Sequence, residues 1–295
     1  MTTESIAGPI RTPSLLPADR SRLAGVATML TSGLSNQVGA AIGSLAFPAI
    51  GPLGVVTVRQ YVAAVVLVAV GRPRLRTFTR AQWWPVLALA AVFATMNLSL
   101  YTAIDRIGLG LAVTLEFLGP LGVALAGARR RLDLGCASLA AVGAVVLMRP
   151  QPSADYLGMG LALLAAGCWA SYILLNRVVG RRLPGAEGAA AAAGMSGLAF
   201  LPVGAILAVH QPLTGHAVGY AVVAGLLASA VPYLADLFTL RRVPARAFGL
   251  FMSVNPVFAA LVGWIGLRQP VSWTEWGSIA AIVTANALSM STARD

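Results

Sequence analysis

The sequence predicts an all-α integral membrane protein: ten transmembrane helices arranged as two inverted five-helix repeats. Three observations carry this. Of 295 residues, 58% are hydrophobic and 11% charged, with a mean hydropathy of +0.79. A soluble domain carries about 25% charged residues, so this chain has too few to cover a water-facing surface. The apolar residues gather into runs near the roughly 20 residues needed to cross the hydrocarbon. The arginines alternate from loop to loop. Composition thereby excludes a soluble domain, a disordered chain and a disulfide scaffold.

The spans follow in chain order. Residues 1–22 are polar, with three prolines and no short apolar core ending at a cleavage site. They read as a cytoplasmic tail, and the first span as an uncleaved anchor. Leu23 to Val58 lacks any acid or base and holds the first span, about 23–46, and the start of the second, about 53–71, split by Phe47-Pro48-Ala49-Ile50-Gly51-Pro52. The third covers 83–104, the fourth 108–128 and the fifth 133–149. The sixth covers 157–179 and the seventh 186–209. A polar turn from His210 to His216 separates the seventh from the eighth, at 218–240. The ninth and tenth cover 244–266 and 273–292. Helices are required because the runs are apolar on every face, whereas a membrane barrel alternates polar and apolar residues.

All 21 basic residues are arginine. With the N-terminus inside, 17 of them fall on cytoplasmic segments, 3 on outside loops, and Arg59 within a helix. This bias places both termini in the cytoplasm. The charge reads as topology: scattered short loops provide no contiguous basic face for nucleic acid. The absence of lysine excludes a Walker A loop and Schiff-base chemistry. With two His and two Cys, no metal site and no cofactor is expected. Cys136 and Cys168 read as buried small hydrophobes.

The two halves are a first repeat over 23–149 and a second over 157–292. Residues 106–127 align without a gap on 242–263 at an offset of 136, matching Arg106 with Arg242 and Pro120 with Pro256. Five spans per half force the second half to insert upside down, an architecture of secondary transporters with the site near the midplane.

Three ionisable groups lie deep in spans: Arg59, Glu116 and Asp236. Each costs about 2.5–3.5 kcal/mol on insertion scales, roughly 8–10 kcal/mol together if unpaired. All three should therefore face the interior. One cation and two acids leave one acid over. Burial favours the neutral form of a carboxyl, so that acid is a candidate proton carrier. Arg59 either pairs with an acid to hold helices together or holds a solute carboxylate.

Pro120 cannot donate to the carbonyl four residues back, which is that of Glu116. Gly119 stands beside it, and Gly119 and Pro120 read as a gate. In the second half Pro256 frees the carbonyl of Met252 beside Asn255, and Pro232 and Tyr233 precede Asp236 by one turn. Asn97 and Tyr101 on the third span, and Asn36 and Gln37 on the first, can line a cavity or bond between helices. Gly39-x-x-x-Gly43 reads as helix packing. Trp83, Trp84, Trp273 and Trp276 read as interfacial anchors.

At Leu115-Glu116-Phe117-Leu118-Gly119-Pro120-Leu121, Met96-Asn97, Pro232-Tyr233 with Asp236, Ala247-Phe248-Gly249 and Phe47-Pro48 with Val58-Arg59, the chain resembles the drug/metabolite transporter superfamily of the EamA type. Within it the chain resembles the bacterial threonine/homoserine exporters. The resemblance implies a ten-helix inverted repeat in the inner membrane and proton-driven efflux of amino acids or similar small metabolites. Glu116 and Arg59 carry over directly. Asp236 stands where a Glu is expected, Asn255 where relatives carry an acid, and Gly43-Ser44 near an expected Lys.

The residues expected to handle solute and protons are therefore Arg59, Asn97, Tyr101, Glu116, Tyr233, Asp236 and Asn255, with Gly119, Pro120, Pro232 and Pro256 as hinges. The expected partners are a small solute, protons and the lipid bilayer; a homodimer is compatible with the pattern. The rival readings are an uncoupled facilitator or channel, a membrane-embedded lipid enzyme, which would need metal-binding acids or nucleophiles that this chain lacks, and a non-transporting scaffold.

Overall fold

The computed structural model describes residues 17–126, 155–210, 214–239 and 254–292, with scattered helical positions between 135 and 146. Every described element is helical. Five helices are long and apolar enough to cross a membrane: Phe47–Gly71, Arg80–Ile107, Tyr156–Arg182, Glu187–His210 and Gly215–Ala235. Two shorter apolar ones are Leu109–Val123 and Asn255–Leu267.

In the first half, α1 is Pro17–Ser44, α2 Phe47–Gly71, α3 Arg80–Ile107, α4 Leu109–Glu116 and α5 Leu118–Ala126. In the second, α6 is Tyr156–Arg182, α7 Glu187–Ala199, α8 Leu201–His210 and α9 Gly215–Gly225. A π-helical segment, Leu226–Ala230, leads into α10, Val231–Thr239. α11 is Asn255–Leu267 and α12 is Trp273–Thr292. The expected fifth span and the first part of the ninth fall largely outside the described residues.

Three expectations change. The 47–52 stretch begins α2 instead of separating spans: Pro48 suits a first helical turn, and Gly51 at φ 65 takes up the kink. The fourth span is two helices that break at Phe117, three residues before Pro120. The seventh breaks at Phe200, just before Pro202.

The halves interleave. α3 runs along α6 and α7; α2 packs on α7 and α9. α1 lies against α9, the π segment, α10 and α11, and α4 touches both α6 and α11. Lipid offers no hydrophobic drive between helices, so close packing of small residues takes its place. Ala190, Ala191, Ala192 and Ala193 are all buried on α7. Gly39 fits against the backbone of Ala228 and Gly43 against Ala224, Tyr101 and Val55, so the Gly39-x-x-x-Gly43 motif is a packing face.

α3 and α6 are joined at both ends. At one, Arg182 donates to the Ala81 carbonyl and stands 5.2 Å above the Trp84 ring, while Gln82 donates to the Arg182 carbonyl at 2.9 Å. At the other, Arg106 pairs with Asp155 at 2.9 Å. Asp155 also caps α6 by accepting the Gly158 N–H at 2.8 Å. That bond, with help from Arg106, holds its carboxyl below the usual carboxylate range.

Candidate functional site

Arg59 sits on α2 and is 4% exposed. Among the described residues it forms no ion pair, and it is bonded instead to neutral groups. Its Nη2 donates to the Ala228 carbonyl at 2.7 Å and to Ser229 Oγ at 2.9 Å, and its Nε reaches Ser229 Oγ at 3.2 Å. The cause lies in the sequence of the facing helix. Pro232 has no N–H, so the Ala228 carbonyl four residues back loses its α-helical donor. The helix answers with a π register, in which the N–H of Val231 bonds to the Leu226 carbonyl five residues back. In that register Pro232 also fails to serve Leu227. The Leu227 carbonyl instead accepts from Ser35 Oγ on α1 at 2.8 Å. Two carbonyls just before this proline thus accept bonds from two other helices.

The Arg59 guanidinium also lies 4.4 Å from the centre of the Tyr101 ring, over its face. Tyr101 is 0% exposed and meets Phe47 edge-on at 6.0 Å. Its hydroxyl makes no hydrogen bond among the described residues, although Arg59 is near enough to act on it electrostatically. Gln37 Oε1 and Gln60 Nε2 are likewise buried without a hydrogen bond among those residues.

Glu116 is the last residue of α4 and is 5% exposed. It lies within electrostatic reach of Arg59, Tyr101 and Cys168, yet forms no ion pair among the described residues. Phe117, at the helix break, stacks edge-on against Trp169 at 4.9 Å. Next to it Gly119 presses on the backbone of α6: a Cβ there would collide with the Ala166 carbonyl. On the opposite side Asn255, beside Pro256, is 3% exposed, and its Oδ1 lies 2.7 Å from where a Cβ on Gly33 would stand.

The other expected residues fall as follows. Asn97 is buried but spends its amide on its own helix, donating to the Phe93 carbonyl at 2.8 Å. One N–H of its amide is thereby used on its own preceding turn. The Tyr233 ring packs 5.1 Å from Phe93. Of Asp236 only the helical backbone is described, and Met252 lies outside the described residues. Ser35 and Ser229 did not stand out in the sequence. The proline rule used at Pro120 and Pro256, applied to Pro232, would have pointed to the carbonyl they surround.

A cavity of about 350 Å³ opens where the end of α3, the start of α4 and the loop before α12 meet, lined by Asp105, Gly108, Ala260, Gln269 and Glu275 among others. Gln269 Oε1 accepts the Leu109 N–H at 3.0 Å at its edge. Gly110 lines it as well, and six residues of helix, about 9 Å, separate Gly110 from Glu116.

The second half, residues 156–291, matches the model of the EamA-like transporter family. The chain is 32% identical over 272 residues to the threonine/homoserine exporter RhtA of Escherichia coli K12, covering 91% of this chain and 92% of that one. This chain belongs to the EamA-like transporter family. RhtA of Salmonella typhimurium LT2 is another such relative, 32% identical over 264 residues and covering 88% of this chain and 89% of its own. The fold is also that of a solved crystal structure at TM-score 0.60, with 20% identity, 92% of this chain and 99% of the other covered. Membership makes the chain a membrane transporter, and Arg59 and Glu116 are both buried within it.

Proposed function

We propose that the chain is a proton-coupled exporter of small amino acids in the bacterial inner membrane, with both termini cytoplasmic and ten spans forming two inverted five-helix repeats. The observation that carries the reading is a buried cation and a buried acid, Arg59 and Glu116, that share one site without pairing to each other. Such groups are costly in oil. A zwitterion offers a partner to each: its carboxylate to Arg59 and its ammonium to Glu116.

Coupling then has a simple physical form. A carboxylate can hold a proton or a solute ammonium, and the second displaces the first. Protonation of Glu116 releases the amine; its loss readmits one. Asp236 supplies a second acid, and Tyr101, Asn97, Tyr233 and Asn255 supply shape and dipoles around the solute. Breaks beside Gly119–Pro120, Pro232 and Pro256 let half-helices tilt. The cavity beside Gln269 serves as an outer vestibule. The family relatives that export threonine and homoserine support the solute class.

The inverted repeat is supported by the packing. Exchanging the halves turns the contact of α3 with α6 into that of α9 and α10 with α1. It turns α5 on α6 into α11 on α1, and α2 on α9 into α7 on α3. All these contacts occur.

The test is flux in proteoliposomes with an imposed pH gradient against a panel of amino acids. Uptake of L-threonine or L-homoserine against its own gradient is expected. Glu116→Gln should cut gradient-driven flux more than about tenfold, since the coupled proton has no carrier, while leaving insertion intact. Full gradient-driven flux in that variant refutes the role, and flux indifferent to pH in the wild type favours an uncoupled facilitator.

A further inference from the structure

We infer that Arg59 is shared between the solute and the eighth span, and that a solute carboxylate takes it from the Ala228 carbonyl and Ser229 Oγ, which releases the π segment and lets that span move. The inference rests on the proposed amino-acid transport and goes beyond it, because it assigns a role to a proline, two serines and a helical irregularity.

The argument is one of donors and acceptors. In this structure Arg59 is buried and bonded, through Nη2 and Nε, to Ala228 and Ser229. These acceptors are neutral. A carboxylate is a stronger acceptor for a guanidinium, and takes it in a two-pronged geometry. A solute carboxylate that reaches Arg59 therefore competes for the same N–H groups. The carbonyl it displaces has no α-helical donor on its own helix, because Pro232 offers no N–H, and reaching the Tyr233 N–H instead requires extending the π register by one residue. The π segment is then left with one unsatisfied carbonyl and a bond from Ser35. A buried orphan of this kind is unfavourable, so the segment is driven to another register or tilt. π segments inside helices mark functional sites for this kind of reason.

Ser229 and Ser35 are thus positioning residues. Ser229 holds Arg59 on the bulge, and Ser35 ties the bulge to α1. Gly39 lets α1 approach this point, its Cα facing the backbone N of Ala228. The binding of solute is linked to the hinge because they draw on one side chain.

The prediction has an unusual sign. Pro232→Ala restores an N–H to the eighth span, which satisfies the Ala228 carbonyl from within and frees Arg59. Half-saturation for L-threonine should fall about three- to tenfold, the worth of one hydrogen bond in competition. Maximal flux should fall as well, because the hinge no longer gains from solute binding. Ser229→Ala should shift half-saturation the same way by less, and Ser229→Thr, which keeps the hydroxyl, should restore the wild-type value. Threoninol, the same molecule without its carboxylate, should show no tightening in either variant.

The readouts are flux in proteoliposomes and binding to purified protein, with thermal stability in detergent as a check of folding. A purely structural role predicts weaker binding or loss of protein. Folded Pro232→Ala and Ser229→Ala proteins with unchanged or raised half-saturation for L-threonine overturn the exchange while the amino-acid reading stands. A wild-type protein that neither binds nor moves L-threonine, L-homoserine or another amino acid overturns both.

Discussion

Pro120 and Pro256 occupy matching places in the two halves, and each stands next to a point where two helices nearly touch. In the first half Gly119 presses on the Ala166 carbonyl, backbone against backbone. In the second half Asn255 leans its side-chain oxygen over Gly33. Both crossings need a glycine, but on opposite sides of the contact. The chemistry is unequal too. One turn before its proline the first half carries Glu116; the aligned residue in the second half is Met252. Packing geometry has been kept in duplicate, whereas charge sits on one side only. Two halves can share a pivot design without sharing a reactive group.

The comparison can be broken most forcefully at Gly119. Gly119→Ala drives a methyl into a backbone carbonyl, which has no rotamer to escape by. The cost should reach or exceed the upper end of about 1–3 kcal/mol seen for overpacking. Folded yield and thermal stability in detergent should drop sharply.

Gly33→Ala meets a side chain instead, and a side chain can turn. The loss should be about 1 kcal/mol or less. A double-mutant cycle with Asn255→Gly sharpens the contrast, because the second substitution should recover most of that loss. Equal, uncorrectable losses at Gly119 and Gly33 would show that the two crossings are the same after all.

The smallest effect belongs to the far end of the first half, at the joint between α3 and α6. The Asp155 carboxyl is lowered first by the Gly158 N–H, then by Arg106. Its contribution to stability is therefore present above its unfolded value, about 3.9, and fades as pH falls through the lower folded value. Asp155→Asn should reduce thermal stability slightly at neutral pH, and wild type and variant should converge in acid below about pH 4. A gap that stays constant down to pH 2 would show that the ionised carboxylate contributes nothing and assign the effect to packing.

Much of this was legible in the residue order. Apolar run lengths gave the five spans that the described helices match, and Pro120 marked the neighbourhood where the fourth is interrupted. Spacing gave the packing face at Gly39 and Gly43. Legibility failed where a local signal met a distant partner. Arg59 was visible as a buried charge, but its bonds to a carbonyl and a hydroxyl on another helix were not visible in one dimension. The start of α2 was misplaced because Gly51 absorbs a kink that would otherwise have ended the helix.

The double fastening of α3 to α6 has a practical corollary. Tied near Trp84 at one end and by Arg106 to Asp155 at the other, the two act as a strut of fixed length. Spin labels at its two ends would keep their spacing through a transport cycle. They would form an internal ruler against which every sliding or rocking of the remaining spans could be measured.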